Sequence, residues 1–386
     1  QSRQQIGNFL FLADNVGNQV HALNSNTMEI LQSVRLPDPY GLGLTADLAK
    51  LFVSNEGDSS VSIVDADPTH ATFMTELKRV SVGSGPRAVA CNPDREDVFV
   101  LNYAGNTISI LDQTTGNVRK TLTSTLIDRP YDMAVGMRET ATGPAFQSGT
   151  YHGYVSNFGG DNVLVYESGP DGLAGIGFDD IIATVTSDPP TPSGQVFHTM
   201  RQPRGITFDP DAPLDPFSRT IGCYVAHQDD QGVALVSRIA YSKDFAPGVQ
   251  VFDTTQFDPL TFGDKVFEVT AQYVSSFSGL AFDVALPDYN RKRFELEDYA
   301  SFYNLVNAGA TSKLQPLVEP NGKFPLADNI LPAFTDGPRW EPDRLYFSVG
   351  GGGPKLIEVF DLVSGQHLKT VTTPIDVGAM AAYFSQ

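Results

Sequence analysis

The reactive side chains of this sequence recur at one kind of position. A turn holding Gly or Pro feeds a short apolar run, as in DPYGLGL (38–44), GPRAVAC (85–91), RPYDMAV (129–135) and QPRGITF (202–208). Taken in chain order, the residue after each such step is Tyr40, Arg87, Tyr131, Arg204, Ser278, Arg339 and Val377. If these positions converge, arginines and tyrosines surround one point. Guanidinium forks match carboxylate and phosphate oxygens, so the chemistry would be anion binding. The other reading is internal: each arginine pairs with a neighbouring carboxylate such as Asp38, Asp132 or Asp336. Near the C-terminal end, ILPAF (330–334) competes with the step that carries Arg339.

Two long segments would add acid–base groups to the same face. TSDPPTPSGQVFHTMRQPRG (186–205) brings His198, and HQDDQGVALVSRIAYSKDFAPG (227–248) brings His227, Asp229 and Asp230. Beside Arg204 these could move a proton or hold a metal; as ordinary polar loop residues they would do neither. His21, His70, His152 and His367 are scattered, which gives a multi-histidine copper cluster little support.

Calcium is the one cofactor with a sequence signal, and the signal is weak. Asp209, Asp211 and Asp215 share the turn FDPDAPLDP, and Asp171, Asp179 and Asp180 surround the glycines of GPDGLAGIGFDD. Calcium needs several oxygens from a compact loop, and neither stretch has the EF-hand spacing. Solvated aspartate turns are the competing reading. The sequence holds no GxSxG, HExxH, P-loop, CxxC or CxxCH motif. The glycines of SVGGGGPK (348–355) lie between two strand-like runs, with no helix behind them to hold a phosphate.

Turns so far apart in sequence need a frame that brings them together, and repetition supplies it. FLADNVGNQVHALN (11–24), FVSNEGDSSVSIVD (52–65), FVLNYAGNTISILD (99–112) and YVSNFGGDNVLVYE (154–167) align without a gap. Phe11, Asp14, Val20 and Asn24 fall on Phe52, Asn55, Val61 and Asp65. Looser copies begin at CYVAHQDDQG (223–232), where GVQVFD (248–253) resumes the pattern after an insertion, and at LYFSVGGGGPKLIEVFD (345–361). Spacing places a degenerate copy near FYNLVN (302–307).

Each unit reads as four strands of β-branched and aromatic residues between Gly, Pro, Asn and Asp clusters. Four strands repeated every ~40–50 residues predict a β-propeller. The expected fold is all-β: a seven-bladed propeller of four-stranded antiparallel blades in a single domain, 1–386. Insertions are expected at 168–182, 186–202 and 227–248, with a degenerate blade around 285–340. The chain opens on the strand FLFLAD and ends on VGAMAAYF, which reads as an innermost strand. Pairing the two shares one blade between the termini and closes the ring. Val61, Ile63, Ile108, Ile110, Val163 and Val165 alternate along the third strands and are expected between blades.

Composition narrows the partners. With 26 Lys and Arg against 45 Asp and Glu, the net charge is −19, which repels nucleic acid and anionic lipid. No apolar run approaches the ~20 residues of a membrane helix, and the first residues carry no signal-peptide core. Cys91 and Cys223 both lie in apolar strand contexts that suit buried thiols; the sequence leaves a disulfide open.

The tetrapeptides FVSN, FVLN and YVSN, each leading to a run such as VSIVD or ISILD, resemble the YVTN-type β-propeller repeat, as does VGSGPRAVACNPD (82–94). The resemblance covers most of the chain and is weak over 225–340. It implies a secreted, cell-surface or periplasmic propeller that binds a protein, a glycan or a small anionic ligand at the axial mouth. Lactonases, a streptogramin lyase and haem-d1-type domains share the broad architecture. A propeller enzyme on a small anionic or cyclic substrate is therefore the first alternative, and an accessory subunit of a redox assembly the second.

Overall fold

A computed structural model of the chain describes residues 9–92, 96–135, 151–168, 179–186, 199–208, 220–228, 234–242, 250–253, 329–333, 344–349, 355–361, 367–375 and 377–383. The first strands are β1 (Phe9–Asp14), β2 (Gln19–Asn24) and β3 (Ile30–Arg35). Next come β4 (Pro39–Leu44), β5 (Lys50–Asn55), β6 (Ser60–Asp65) and β7 (Glu76–Ser81), then β8 (Pro86–Cys91), β9 (Asp97–Asn102), β10 (Thr107–Asp112) and β11 (Val118–Leu122). They are followed by β12 (Pro130–Val135), β13 (His152–Asn157), β14 (Asn162–Glu167) and β15 (Asp180–Val185). The remainder are β16 (Ile206–Phe208), β17 (Thr220–Gln228), β18 (Ala234–Ser242), β19 (Gln250–Asp253), β20 (Asn329–Ala333), β21 (Arg344–Val349), β22 (Leu356–Asp361), β23 (His367–Thr372) and β24 (Val377–Tyr383).

The chain is all-β, its four-stranded antiparallel sheets arranged as propeller blades. Among the described residues there are six such sheets. Five are meanders of consecutive strands: β4–β7, β8–β11, β12–β15, β16–β19 and β20–β23. The other joins β24 to β1–β3, with Phe9 opposite Tyr383 and Leu12 opposite Met380. No described helix is long and apolar enough to cross a membrane.

Two compact units divide the chain. In the first, residues 1–121 and 316–386, the innermost strands lie side by side in the order β20, β24, β4, β8. The blade β4–β7 is covered on both faces. Leu51, Val53 and Val64 pack with Phe9, Phe11, Val20 and Ala22 of the β1 blade, while Phe52, Val61 and Ile63 pack with Val98, Val100 and Leu111 of the β9 blade. Leu10, Leu12 and Leu23 cover Ile357 and Val359 on the far side of the β1 blade. Two buried faces explain why the second strands, KLFVSN and DVFVLN, hold nearly continuous apolar runs. In the second unit, residues 122–315, β12 lies beside β16, and Tyr154, Val163 and Val165 pack with Ile206 and Val225. All six third-strand residues expected between blades are buried.

The repeated polar letters are explained locally. Asn55 Nδ2 donates to Ser60 Oγ and Ser62 Oγ at 2.9 and 2.8 Å; Asn102 Nδ2 donates to Thr107 Oγ1 and Ser109 Oγ, both at 3.0 Å. Asn157 donates to Asn162 Oδ1 at 3.0 Å. The motif asparagine therefore ties the second strand to the third across the hairpin. At the other end of the third strand, Asp112 Oδ1 accepts the Thr115 N–H at 2.6 Å, an Asx turn that leads to the outer strand. That hydrogen bond holds the Asp112 carboxyl below its usual range.

The fifth repeat differs from the expected reading. VALVSRIAYS does not loop out: β18 fills the third-strand place, pairing along all of β17 from Thr220 opposite Ser242 to Gln228 opposite Ala234. QVFD is the outermost strand, opposite Arg238–Tyr241. The polar letters QDDQG within an apolar stretch disguised two paired nine-residue strands as an insertion. The degenerate copy around 302–307 lies outside the described residues.

Candidate functional site

The turn before each innermost strand has one backbone solution. The residue preceding the proline adopts a left-handed conformation in all four described copies, with φ of 53° at Asp38, 59° at Gly85, 51° at Arg129 and 46° at Gln202. Only Gly85 takes it without steric cost. The turn delivers the next side chain, Tyr40, Arg87, Tyr131 or Arg204, to the end of the blade where the hairpin after the motif asparagine also lies.

In the first unit Tyr40 and Arg87 come together. The Arg87 guanidinium lies 5.1 Å from the centroid of Tyr40 and 4.2 Å from that of Tyr103, and its Nη2 donates to Glu56 Oε1 at 3.1 Å. The expected carboxylate partner, Asp38, is not the one used. Asp38 instead donates its N–H to Asn18 Oδ1 at 2.8 Å, and burial, then the Glu56 charge, push its carboxyl up. Burial likewise raises the Tyr40 hydroxyl, against the Arg87 charge. Beneath this box Ser54 ties two innermost strands. Its hydroxyl accepts the Gly41 N–H at 2.8 Å and donates to the Arg87 carbonyl. A Cβ on Gly41 would sit 1.9 Å from that carbonyl oxygen, so the position requires glycine.

In the second unit Tyr131 and Arg204 meet at Phe158. Tyr131 stacks on the Phe158 ring at 5.8 Å and 27°, and the guanidiniums of Arg129 and Arg204 lie 5.2 and 5.7 Å from its centroid. The approach of Arg204 is fixed by its own turn: Arg201 Nη1 and the Gln202 N–H donate to the two carboxylate oxygens of Asp161 at 2.8 and 2.9 Å. Asp128 Oδ1 is 3.5 Å from Arg129 Nε.

Asp132, offered as an arginine partner, binds backbone instead. Its Oδ1 accepts the Met133 N–H at 2.8 Å and its Oδ2 the Ile206 N–H at 3.3 Å, which ties β12 to β16. Although the residue keeps some surface, desolvation pushes its carboxyl up to about 7, against those two hydrogen bonds.

The other candidates are placed as follows. His227 lies in strand β17 rather than a loop, with 1% of its surface exposed. It stands where FVSN, FVLN and YVSN have asparagine, and those three asparagines, Asn55, Asn102 and Asn157, are buried as well. Asp179 accepts the Tyr166 hydroxyl at 2.8 Å, and Asp180 accepts the Ile181 N–H at 2.8 Å; both therefore serve strand ends. Val377 begins β24 and packs partly against the apolar layer of the β1 blade. Arg339 falls between β20 and β21, because ILPAF supplies most of the innermost strand, and its structure lies outside the described residues. His198, Ser278, Asp171, Asp209, Asp211, Asp215, Asp229 and Asp230 also lie outside them. Among the described residues no group of three or more His, Cys, Asp or Glu could hold a metal ion. Burial pushes the thiol of Cys91, a free cysteine, up to about 12.

Sequence reading missed Glu56, Tyr103 and Phe158. All three directly follow the motif asparagine, and that shared offset was a usable signal.

No family model matches the chain, and no curated protein does. Among solved structures, the chain is similar to hydrazine synthase of Kuenenia stuttgartiensis at 14% identity and TM-score 0.48, covering 92% of this chain and 73% of that one. It is also similar to a chain of a nidogen/laminin complex at 13% identity and TM-score 0.45, covering 98% and 100%. The dihydro-haem d1 dehydrogenase NirN matches at 13% identity and TM-score 0.39, covering 97% and 56%.

Proposed function

We propose that the chain is a non-catalytic binding module: a YVTN-type, seven-bladed propeller, 1–386, secreted, on the cell surface or in the periplasm, engaging its partner at the mouth end of the blades. The observation that carries the reading is the Arg87 box. Glu56 and the faces of Tyr40 and Tyr103 already engage that guanidinium, so the most conspicuous candidate for a catalytic cation serves the join between two blades. The acidic surface, with its charge of −19, suits a soluble module that avoids nucleic acid and anionic lipid.

The test is turnover. The purified chain should leave lactones and unsaturated-product lyase substrates unchanged, and Arg87→Ala should lower Tm. Hydrolysis or elimination that disappears in Arg87→Ala would contradict the reading. One observation favours the enzyme alternative: burial pushes the Asp132 carboxyl up to about 7, the range that suits general acid–base work. In that case turnover would follow the protonation of Asp132 and vanish in Asp132→Asn.

A further inference from the structure

Every outermost strand ends its sheet and turns one backbone edge away from its blade. Proteins blunt such edges with charge, because a bare edge is a template for another strand. β7 (ELKRVS), β11 (VRKTL) and β23 (HLKTVT) carry lysine or arginine inside the strand, and β19 (QVFD) is only four residues long. β15 has an uncharged run, Ile181–Val185, but all of it is half-buried or buried. Among the described strands β3 is the exception. Its run ILQSV (30–34) holds no charge and no proline; Ile30 and Leu31 are 45% and 49% exposed, and Gln32 and Ser33 are exposed as well. Its backbone pairs with β2 alone, and Leu31 is passed over even there, as a bulge residue.

The ends of the run carry opposite charges. Glu29 precedes it and Arg35 closes it, both exposed. Among the described residues the Glu29 carboxylate accepts only the Thr27 hydroxyl, at 3.3 Å, and Arg35 has no hydrogen bond or ion pair. In β7 the comparable charges are spent within the chain, since Arg79 binds Glu76 at 2.7 Å and Asp58 at 3.0 Å. An extended partner of one charge sign would be repelled at one end of β3. A second β3, laid antiparallel, is attracted at both: the Arg35 end of each copy meets the Glu29 end of the other, with the apolar side chains between. The chain's charge of −19 opposes the approach of copies, but physiological salt screens it beyond about 8 Å, and the edge itself carries one base and one acid.

We propose that β3 is a self-association edge: two copies of the chain lay their β3 strands antiparallel across a two-fold axis, burying Ile30 and Leu31 in the contact. The same patch serves both copies, so the assembly closes as a dimer. The interface is independent of what the mouth binds.

The experiment is sedimentation velocity of the intact chain over about 1–100 µM in about 0.15 M salt. The chain should pass from monomer to dimer as concentration rises. Arg35→Glu and Glu29→Arg each bring like charges together at both ends of the pair, so each should raise the dimer Kd about fivefold or more. An equal mixture of the two variants should recover the dimer, because every acid again meets a base. The double variant Glu29→Arg with Arg35→Glu should recover it as well. Recovery on mixing cannot come from variants that fail to fold. A chain that stays monomeric throughout, its edge then left to a strand of another protein, would overturn the proposal. So would a dimer indifferent to both single variants, a mixture and double variant that both stay monomeric, or an assembly that grows beyond the dimer.

Discussion

At the scale of single residues, this protein shows how one repeat position acquires two characters from its neighbour. Arg87 and Arg204 follow the same turn, yet the first is answered by Glu56 and the second by Phe158. Asp132 is a second such case. Its counterpart in the β4 blade is Gly41, where a side chain would strike the Arg87 carbonyl. A Gly41→Ala change should therefore cost about 1–3 kcal/mol or more, read from urea unfolding; an unchanged midpoint would contradict the contact. For Asp132 the sign is fixed by linkage. Its folded pKa, about 7, lies above the ordinary 3.8, so the native state holds a proton that the unfolded state has released. Its contribution to stability is thus present below about 4 and is lost as pH rises to about 7. Asp132→Asn should flatten that part of the Tm-against-pH curve. Parallel curves for the two proteins would show that Asp132 titrates normally.

At the scale of elements, the blade is the unit of cohesion, because the third strands β2, β6, β10 and β14 are buried on both faces. Val61→Ala and Ile110→Ala should each cost about 1–4 kcal/mol by the cavity they leave, and a loss below about 0.5 kcal/mol, the usual range for surface changes, would mean the inter-blade register is wrong. The pairing of β24 with β1 gives a second expectation. Amide exchange in Phe9–Asp14 should be as slow as in Lys50–Asn55, since both are central strands of their sheets. Fast exchange there would show that the shared blade opens. Much of this level was legible in the sequence. The gapless 52–65 and 99–112 copies mark hairpins whose asparagines and aspartates have direct structural duties. The pairing of β17 with β18 was not legible, because the letters QDDQG (228–232) match the composition of an inserted loop. Nor were the partners of Arg87, since Glu56 lies thirty-one residues away and belongs to the neighbouring blade.

At the scale of the whole molecule, a repeat scaffold holds the side chains of the proposed binding function at the ends of its blades. The blades explain why the turn residues can be positioned so reproducibly; the chemistry then depends on which residue the adjacent blade presents. The same logic sets the expected count. Six blades are described, and the proposed seventh draws on the segment that contains FYNLVN. The most direct measurement is a crystal structure of the intact chain. It should show seven four-stranded blades closed by β24 on β1, with Arg87 held between Tyr40 and Tyr103 and hydrogen-bonded to Glu56. Six or eight blades, or Arg87 turned away from Glu56, would contradict this reading.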